Sequence, residues 1–322
     1  MKIVDKVYGV VEVNEAVIAE LVGSKPLQRI KGVNQAGTQL IQTEITHTRY
    51  DHCVGVMLLL RHFGASLEEQ IAGLLHDVPH TAFSHTADFV FGSKDQTYHE
   101  KFLKKIVFES EIPGVLANHN IDAHFVTDDA NFSLLEQPIP ALCADRIDYF
   151  LRDLLEWHRP SAEIESYLQS LTTFRGVFVF NNQATAKKFG LAFMKQCREV
   201  WNGPKTLLAF ELTAKAIKQG LDKKILTEDD LFETDHFVIE KLAKNADRQL
   251  QETLDLLTPE IKFVEDPANF DLHSRGKLRY VDPAVLIDGH TTILSELDPD
   301  YAEEIEKHAL SVQRGHFLKI IS

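Results

Sequence analysis

The spacing of apolar positions changes after residue 13, and the change predicts where strands give way to helices. Residues 2–13 are rich in β-branched side chains around one glycine, Gly9, and predict two short strands joined by a turn. From Glu15 onward apolar residues recur at spacings of three and four, as in AVIAELV, TRYDHCVGVMLLLRHF and LEEQIAGLLHDV. Because this spacing is typical of amphipathic or buried helices, we predict a mainly α fold.

The third of these helices carries start and stop signals. Ser66 followed by Glu69 has the pattern of a capping box, and Pro79 predicts that the helix ends after His76 and Asp77. A histidine–aspartate pair is therefore expected at the C-terminal end of a helix.

The rest of the chain predicts more helices, an inserted hairpin and a different C-terminal region. Further helices are predicted over residues 99–109, 140–157, 163–171, 184–200, 205–220 and 227–257, the last in pieces. TTFRGVFVFN predicts a strand or hairpin, and IKFVED, KLRYVD, TTILSEL and HFLKII predict strands around one helix, YAEEIEKHAL. We predict a helical core over residues 1–258 with small β hairpins, followed by a small α+β region over residues 259–322.

Composition and charge exclude several classes of protein. The 322 residues are 44% hydrophobic and 25% charged, which is typical of a globular chain and not of a disordered or fibrous one. The formal net charge of −14 repels polyanions, so stable nucleic-acid binding is not expected. A local basic or metal-bearing pocket can still hold a small phosphorylated ligand.

Cysteine usage and hydropathy indicate a reducing compartment. Cys53, Cys143 and Cys197 lie far apart without CxxC spacing, which predicts neither a disulfide framework nor a thiolate zinc site. No apolar run approaches the roughly 20 residues that span a bilayer, and the opening residues lack an apolar signal core. We expect a cytoplasmic protein with no membrane partner, and we expect it to form a homo-oligomer.

Four short segments place histidine and aspartate inside apolar helical surroundings: TRYDH at 48–52, HDVPHTAFSHTAD at 76–88, YHE at 98–100 and ADRIDYFLRD at 144–153. A buried imidazole or carboxylate is costly unless it is paired or bound to a metal, so the segments predict a shared metal ion. Imidazole and carboxylate ligands suit Mn, Fe, Ni, Co or Zn, with Mg as a further candidate. The alternative is a network of these side chains that satisfy one another or face water, since a lone His-Asp dipeptide carries little information.

On these segments the chain resembles the HD-domain metal-dependent phosphohydrolases. It is most similar to the deoxynucleoside triphosphate triphosphohydrolases that include the SAM-and-HD-domain protein. TRYDH resembles the family's RFEH, HDVPHTAFSH resembles HDLGHGPFSH, and DRIDYFLRD resembles DKWDYFARD. DKVYGVVEV and LQRIKGVNQAG resemble the family's DPVHG and QRLRYIKQLG. The likeness covers residues 1–160 and continues more faintly, through LTEDDLFETD, to about residue 250.

The resemblance implies a role for each matching residue. The metal ligands would be His52, His76, Asp77 and Asp145. The acid that protonates the leaving oxygen would come from three histidines with two orienting carboxylates, namely His80, His85, His99, Asp88 and Glu100. Substrate would be bound by Arg49, Arg146, Gln35, Tyr149 and Asp153. Among these, Arg49 would contact phosphate oxygens next to the metal and Gln35 would contact the sugar.

Four of the predicted substrate-binding residues also have a purely structural explanation. These are a solvated cation or a salt-bridge partner for Arg49, a core side chain for Tyr149, a helix-surface amide for Gln35, and an ion pair with Arg152 or Arg159 for Asp153.

Departures from the family bear on the substrate. Arg146 stands where the family has a lysine, and Leu155 and Glu156 replace paired histidines. A later family helix carries an arginine, a histidine and a tyrosine that grip the phosphate tail and the sugar. At the aligned positions this chain has Phe193, Cys197 and Trp201.

Nearby cations could replace the lost ones, namely Lys195, Arg198 and Lys205. The C-terminal region is too short and too different to carry the family's allosteric nucleotide machinery.

Three functions are consistent with the sequence. The first is a metal-dependent phosphohydrolase that cuts a deoxynucleoside triphosphate into deoxynucleoside and triphosphate. The second is a phosphomonoesterase such as a 5′-nucleotidase. The third is a nucleotide-sensing protein without turnover, against which the intact ligand and acid sets argue.

Overall fold

Helices make up most of the chain and surround the four segments that carry histidine and aspartate. The structure is a computed structural model that describes residues 1–93, 95–157 and 160–321. The α-helices are α1 (Ala16–Val22), α2 (Lys25–Arg29), α3 (Arg49–His62), α4 (Leu67–Leu75), α5 (Thr86–Phe91), α6 (Leu103–Phe108), α7 (Ile112–Asn118), α8 (Ala123–Val126), α9 (Ala144–Glu156), α10 (Ser161–Ser170), α11 (Gln183–Gln196), α12 (Pro204–Asp222), α13 (Asp235–Lys244), α14 (Arg248–Leu254), α15 (Leu294–Leu297) and α16 (Pro299–Arg314). The mainly α fold predicted from the sequence is confirmed.

Short 3-10 helices and a π-helix lie between or beside the α-helices. Short 3-10 helices lie at Ile30–Gly32, His99–Phe102, Asp129–Asn131 and Asp229–Phe232, and a π-helix at Cys197–Trp201 continues α11. No helix in the described ranges is long and apolar enough to cross a membrane.

Three small sheets lie at the edges of the helical core. The strands are β1 (Lys2–Asp5), β2 (Gly9–Glu12), β3 (Leu171–Phe174), β4 (Val177–Phe180), β5 (Lys262–Glu265), β6 (Leu272–Ser274), β7 (Ala284–Ile287), β8 (His290–Ile293) and β9 (His316–Ile321). The sheets have the orders β1-β2, β3-β4-β7-β8 and β5-β9-β6, and every pairing is antiparallel except β4–β7. The predicted hairpins at residues 2–13 and at TTFRGVFVFN are therefore confirmed.

The C-terminal strands differ in part from the sequence prediction. KLRYVD forms no strand, and TTILSEL divides between the end of β8 and the start of α15. In the β4–β7 pair, Phe180 lies opposite Val285, and Leu318 of β9 packs in a cluster with Leu208 and Leu212 of α12. Both C-terminal sheets thus contact the helical core, while the division at residue 258 stays a prediction.

The end of α4 places the histidine–aspartate pair as expected. Ser66 Oγ accepts a hydrogen bond from the Glu69 N–H at 3.1 Å, and the helix ends at Leu75 with His76 as its cap. In a capping box the Glu69 carboxylate would also accept a hydrogen bond from the Ser66 N–H, but here it has other donors. The Glu69 carboxylate instead accepts from the N–H groups of Leu134 and Leu135, at 2.8 and 3.2 Å, and so fixes the loop that leads into α9.

The ligand-bearing helix α3 lies at the centre of the core and packs against α4 and α9. Its residues from His52 to Leu60 are all buried, as expected for a helix that is apolar around most of its circumference. Gly55 allows the close approach of α9. A β-carbon at this position would lie 1.8 Å from Arg152 Nη2 and 2.2 Å from Asp148 Oδ1.

Replacing Gly55 by alanine should therefore lower the free energy of unfolding by about 1–3 kcal/mol, because the added methyl group forces α3 and α9 apart. Gly114→Ala is the matched control, since Gly114 also lies in a helix but faces open space. We expect the control to be neutral or to stabilise by up to about 1 kcal/mol. Chemical denaturation of both variants measures the difference, and equal stabilities would contradict the close packing at Gly55.

Candidate metal centre and cavity

One cavity of about 660 Å³ collects most of the predicted site residues. Twelve of the fourteen line it, and the other two, His52 and Asp88, are buried behind its wall. The predicted residues that line the cavity are Gln35, Arg49, His76, Asp77, His80, His85, His99, Glu100, Asp145, Arg146, Tyr149 and Asp153.

The four predicted metal ligands converge on one side of this cavity. His52 Nε2 lies 2.9 Å from Asp145 Oδ1, and His76 Nε2 lies 3.5 Å from the same oxygen. Asp77 Oδ2 is 3.7 Å from His52 Nε2, and Asp77 Oδ1 is 3.6 Å from His76 Nε2. Residues from α3, from the end of α4 and from the start of α9 thus bring two imidazoles and two carboxylates within reach of one ion.

Hydrogen bonds behind the cluster fix the orientation of both imidazoles. His76 Nδ1 lies 2.7 Å from the carbonyl oxygen of Gly73, which can only accept, so Nδ1 carries the hydrogen and Nε2 keeps its lone pair. Among the described residues His76 Nε2 is buried without a hydrogen-bond partner. His52 Nδ1 is held in the same way by Asp148 Oδ2, at 2.8 Å. Second contacts of this kind are typical of histidines that ligate metals.

The donor set fits a divalent metal ion. It offers nitrogen and carboxylate oxygen donors, and the buried lone pair of His76 Nε2 has no other use within the described part of the chain. Asp145 and Asp148 also favour positive charge on the His52 imidazole. Burial lowers the pKa of His52, but hydrogen bonds to Asp145 and Asp148 outweigh it and raise that pKa above its usual range.

Asp148 is a site residue that the sequence analysis missed. It is fully buried, and besides His52 it accepts hydrogen bonds from Arg152 Nε at 2.7 Å and from the Tyr8 hydroxyl at 2.8 Å. Its position three residues after Asp145 puts it on nearly the same face of α9, which is a signal that could have identified it. Asp148 positions His52 and does not line the cavity itself.

Arg49 is buried, so it is not a solvated surface cation, and the ion pair that the sequence allowed for it forms inside the core. Only 4% of the residue is exposed, and Nη1 donates to Asp77 Oδ2 at 2.6 Å. Nε donates to Ser84 Oγ at 3.0 Å, and Nη2 donates to the carbonyl oxygen of Gln35 at 2.9 Å. Arg49 therefore holds Asp77 in place, and its predicted contact with phosphate stays a prediction.

The three predicted acid histidines form a second cluster beside Asp77. The His80 and His99 rings stack with centroids 3.7 Å apart, and their Nε2 atoms lie 3.4 and 3.8 Å from Asp77 Oδ1. His85 Nδ1 lies 3.0 Å from Asp88 Oδ2. The nitrogens of these three rings are also close enough to hold a metal ion themselves.

Burial sets the protonation of this second cluster. It holds the pKa of His80 well below the usual range and lowers that of His99 to about 3. Burial also lowers the pKa of His85, but the hydrogen bond to Asp88 opposes this effect. An imidazolium in this cluster therefore needs the negative charge of a bound substrate, and His85 is the best supported member because of its carboxylate partner.

Arg146 lines the cavity but is engaged by the preceding loop. Nη1 donates to the carbonyl oxygen of Ala141 at 2.6 Å and contacts Cys143 Sγ at 3.0 Å, while Nη2 donates to Glu136 Oε1 at 3.2 Å. Burial and repulsion from Asp145 raise the pKa of Glu136 to about 7. The arginine is thus held by at least three acceptors, one of which is ionisable near neutral pH.

The remaining wall combines aromatic and amide groups. Tyr149 packs edge-on against Trp201, with ring centroids 5.2 Å apart, and the buried Gln35 Oε1 has no hydrogen-bond partner among the described residues. Asp153 accepts a hydrogen bond from Trp201 Nε1, and its Oδ1 lies 3.5 Å from His47 Nε2.

The alternative partners of Asp153 are not supported. Arg152 instead contacts Asp148 and Asp5, and Arg159 lies outside the described residues. Tyr149 and Gln35 face the cavity, so neither is simply a core or surface residue.

The cations proposed to replace the family's phosphate clamps do not reach the cavity. Lys195 lies 3.8 Å from Glu199, Lys205 lies 3.7 Å from Glu44, and Arg198 lies beside His308. None of the three is among the residues that line the cavity within the described ranges.

Two other cations line it, Lys277 and Arg279 from the C-terminal region. The sequence analysis missed them because they follow the end of the family resemblance, in a segment whose pattern predicts only a strand. Phe193, Cys197 and Trp201 align with the family's later helix, and of these three Trp201 faces the cavity.

The chain is similar to known proteins over the range that carries this site. A family model described as HD domain matches residues 49–153, which include all four predicted metal ligands. The uncharacterized protein YdhJ of Bacillus subtilis is 34% identical over 324 residues, covering 100% of this chain and 99% of its own. The metal-dependent phosphohydrolase cns2 of Cordyceps militaris is 30% identical over 319 residues, covering 95% of this chain and 92% of its own.

A solved structure shares the fold over nearly the whole chain. The crystal structure of a hypothetical protein from Aquifex aeolicus matches with a TM-score of 0.65 at 18% identity, covering 97% of this chain and 99% of that chain.

Proposed function

Because the chain belongs to the HD-domain metal-dependent phosphohydrolases, we propose that it acts on nucleotides and cuts a deoxynucleoside triphosphate into deoxynucleoside and triphosphate. The observation that supports this substrate is a set of cationic side chains in the cavity wall, which stand beside six carboxylates, namely Asp77, Glu100, Asp129, Glu136, Asp145 and Asp153. Four cationic side chains line the cavity in a protein of net charge −14, namely Arg49, Arg146, Lys277 and Arg279. A triphosphate carries about four negative charges, and charge-assisted contacts are the strong ones for such a group.

We propose His52, His76, Asp77 and Asp145 as the residues that hold the metal ion, with Mn, Fe, Ni, Co or Zn as candidates and Mg as a further one. A divalent ion in this place supplies Lewis acidity toward a phosphate oxygen and lowers the pKa of water. The protein's own contribution is orientation: the Gly73 carbonyl and Asp148 fix the two imidazoles, and Arg49 fixes Asp77.

The proton for the leaving oxygen comes, in this proposal, from the second histidine cluster. His85 holds its hydrogen bond to Asp88, and Asp88 is itself fixed by the N–H of Tyr98 at 3.0 Å. His80 and His99 lie between His85 and the metal side, and Glu100 lines the cavity beside them. We propose that Gln35 contacts the sugar and that Tyr149 and Asp153 contact the substrate as well, since all three line the cavity.

A phosphomonoesterase is the second candidate, and the engagement of the two core arginines favours it. Arg146 donates to the loop before α9 and Arg49 donates to Asp77, which leaves fewer of their N–H groups for a long phosphate chain. A nucleoside monophosphate needs fewer cations besides the metal.

Product analysis separates these functions. We expect the purified protein with added Mn²⁺ to release deoxynucleoside and intact triphosphate from a deoxynucleoside triphosphate, as measured by anion-exchange chromatography across a nucleotide panel. Orthophosphate with a diphosphate nucleotide, or turnover of monophosphates alone, would contradict the lead proposal. Binding without turnover of any nucleotide would instead support the sensing function.

A further inference from the structure

We propose that Lys277 and Arg279 form a subsite for the polyphosphate chain of the substrate, so that the C-terminal region sets the preference for nucleoside triphosphates over monophosphates. This inference rests on the proposed function and names the part of the cavity that reads the length of the phosphate chain.

Both side chains point their charge toward the cavity without a carboxylate partner. Within the described part of the chain neither forms an ion pair, and Arg279 Nη2 donates to the amide oxygen of Gln96. The two cations are close enough to disturb each other, since burial and then repulsion from Arg279 lower the pKa of Lys277, with Glu100 and Glu136 opposing. Two like charges held together on a partly buried wall are unfavourable, and Glu100 and Glu136 offset this only in part, so a further anion between the two cations is favoured.

The backbone of this segment is held firmly, so both side chains leave the chain at fixed points of the cavity wall. Asn202 Nδ2 donates to the carbonyl oxygen of Lys277 at 3.0 Å, and His308 Nε2 lies 2.9 Å from the carbonyl oxygen of Arg279. A β-carbon at Gly276 would lie 1.8 Å from Asn202 Oδ1, so only glycine allows this approach. Cations carried on a fixed backbone lose less freedom when a ligand binds than cations carried on a mobile loop.

The other cations of the cavity are less available. Arg49 is committed to Asp77, Ser84 and Gln35, and Arg146 is committed to the loop before α9. Lys277 has no hydrogen bond from its ammonium group among the described residues, so its three donors are free for phosphate oxygens. The part of the phosphate chain that lies away from the metal therefore has its main contacts in Lys277 and Arg279.

Binding measurements test the subsite separately from turnover. We would measure, by calorimetry on the Mn²⁺-loaded protein, the dissociation constants of a slowly hydrolysed α-thio deoxynucleoside triphosphate and of the corresponding monophosphate. Lys277→Gln and Arg279→Gln should each weaken triphosphate binding about tenfold or more, and should leave monophosphate binding within about twofold. Lys277→Arg should restore most of the triphosphate affinity.

Arg275→Gln is the matched control, because Arg275 lies in the same segment but is exposed and does not line the cavity. Unchanged triphosphate binding in both variants, or equal losses for triphosphate and monophosphate, would overturn the subsite, as would a wild-type protein that does not bind the analogue. If the subsite variants lose triphosphate binding but the wild-type protein cuts no nucleotide, the subsite stands and the proposed function fails.

Discussion

Asp77→Ala is expected to strip the metal ion from the protein and to abolish turnover. Asp77 faces His52, His76 and the second histidine cluster at once, so its loss opens the ligand set and removes the carboxylate that those imidazoles share. Metal content per chain, measured by plasma mass spectrometry, and the turnover rate are the two readouts. Normal metal content and activity in this variant would contradict the assignment of the metal centre.

Loss of folding has to be separated from loss of metal in this experiment. Removing the carboxylate leaves Arg49 buried without its partner, and breaking a buried pair of this kind costs about 3–5 kcal/mol. Asp77→Asn keeps the shape of the side chain and serves as the milder variant, with thermal unfolding as the check. Asp229→Ala is the matched control because the Asp229 side chain is 91% exposed.

His85→Gln is expected to lower the turnover rate about 10²-fold or more while the metal content stays unchanged. Burial lowers the pKa of all three histidines, but His85 has a carboxylate, Asp88, that hydrogen-bonds to it at 3.0 Å and is not a proposed metal ligand. The equivalent His80→Gln and His99→Gln variants complete the series. Rapid-quench kinetics beside metal analysis gives both quantities for each protein.

His236→Gln controls for the loss of a histidine, because the His236 side chain is 80% exposed. If all three cluster variants keep near-normal rates, the acid lies elsewhere. If they lose metal together with activity, the cluster serves as a ligand site and not as a source of protons.

The predictable parts of the site are those that depend on local sequence. The stop signal at Pro79 correctly places His76 and Asp77 at the end of α4. The missed parts depend on contacts between distant segments. Asp148 bonds to Arg152 four residues along α9, but its role in the site comes from His52 and Tyr8, which lie 96 and 140 positions away.

The error over one replacement cation, Arg198, has a local cause in the backbone, whereas Lys195 precedes the change and Lys205 lies in α12. The sequence predicts a regular α-helix through residues 184–200, but α11 passes into the π-helix Cys197–Trp201, which has a wider turn. This change of period alters which side chains face the cavity. Trp201 lines it, whereas Arg198 lies elsewhere, and the cavity takes its further cations from Lys277 and Arg279.

The hydrogen bond between Tyr8 and Asp148 has a consequence for the order of folding. These residues are 140 positions apart, and Asp148 is 96 positions from the His52 ring that it orients. Contacts of such long range form late, because the intervening chain must first be brought together. The imidazole of His52 is therefore set only when the N-terminal hairpin has docked against α9, so metal uptake is expected to be a late event that marks the completed fold.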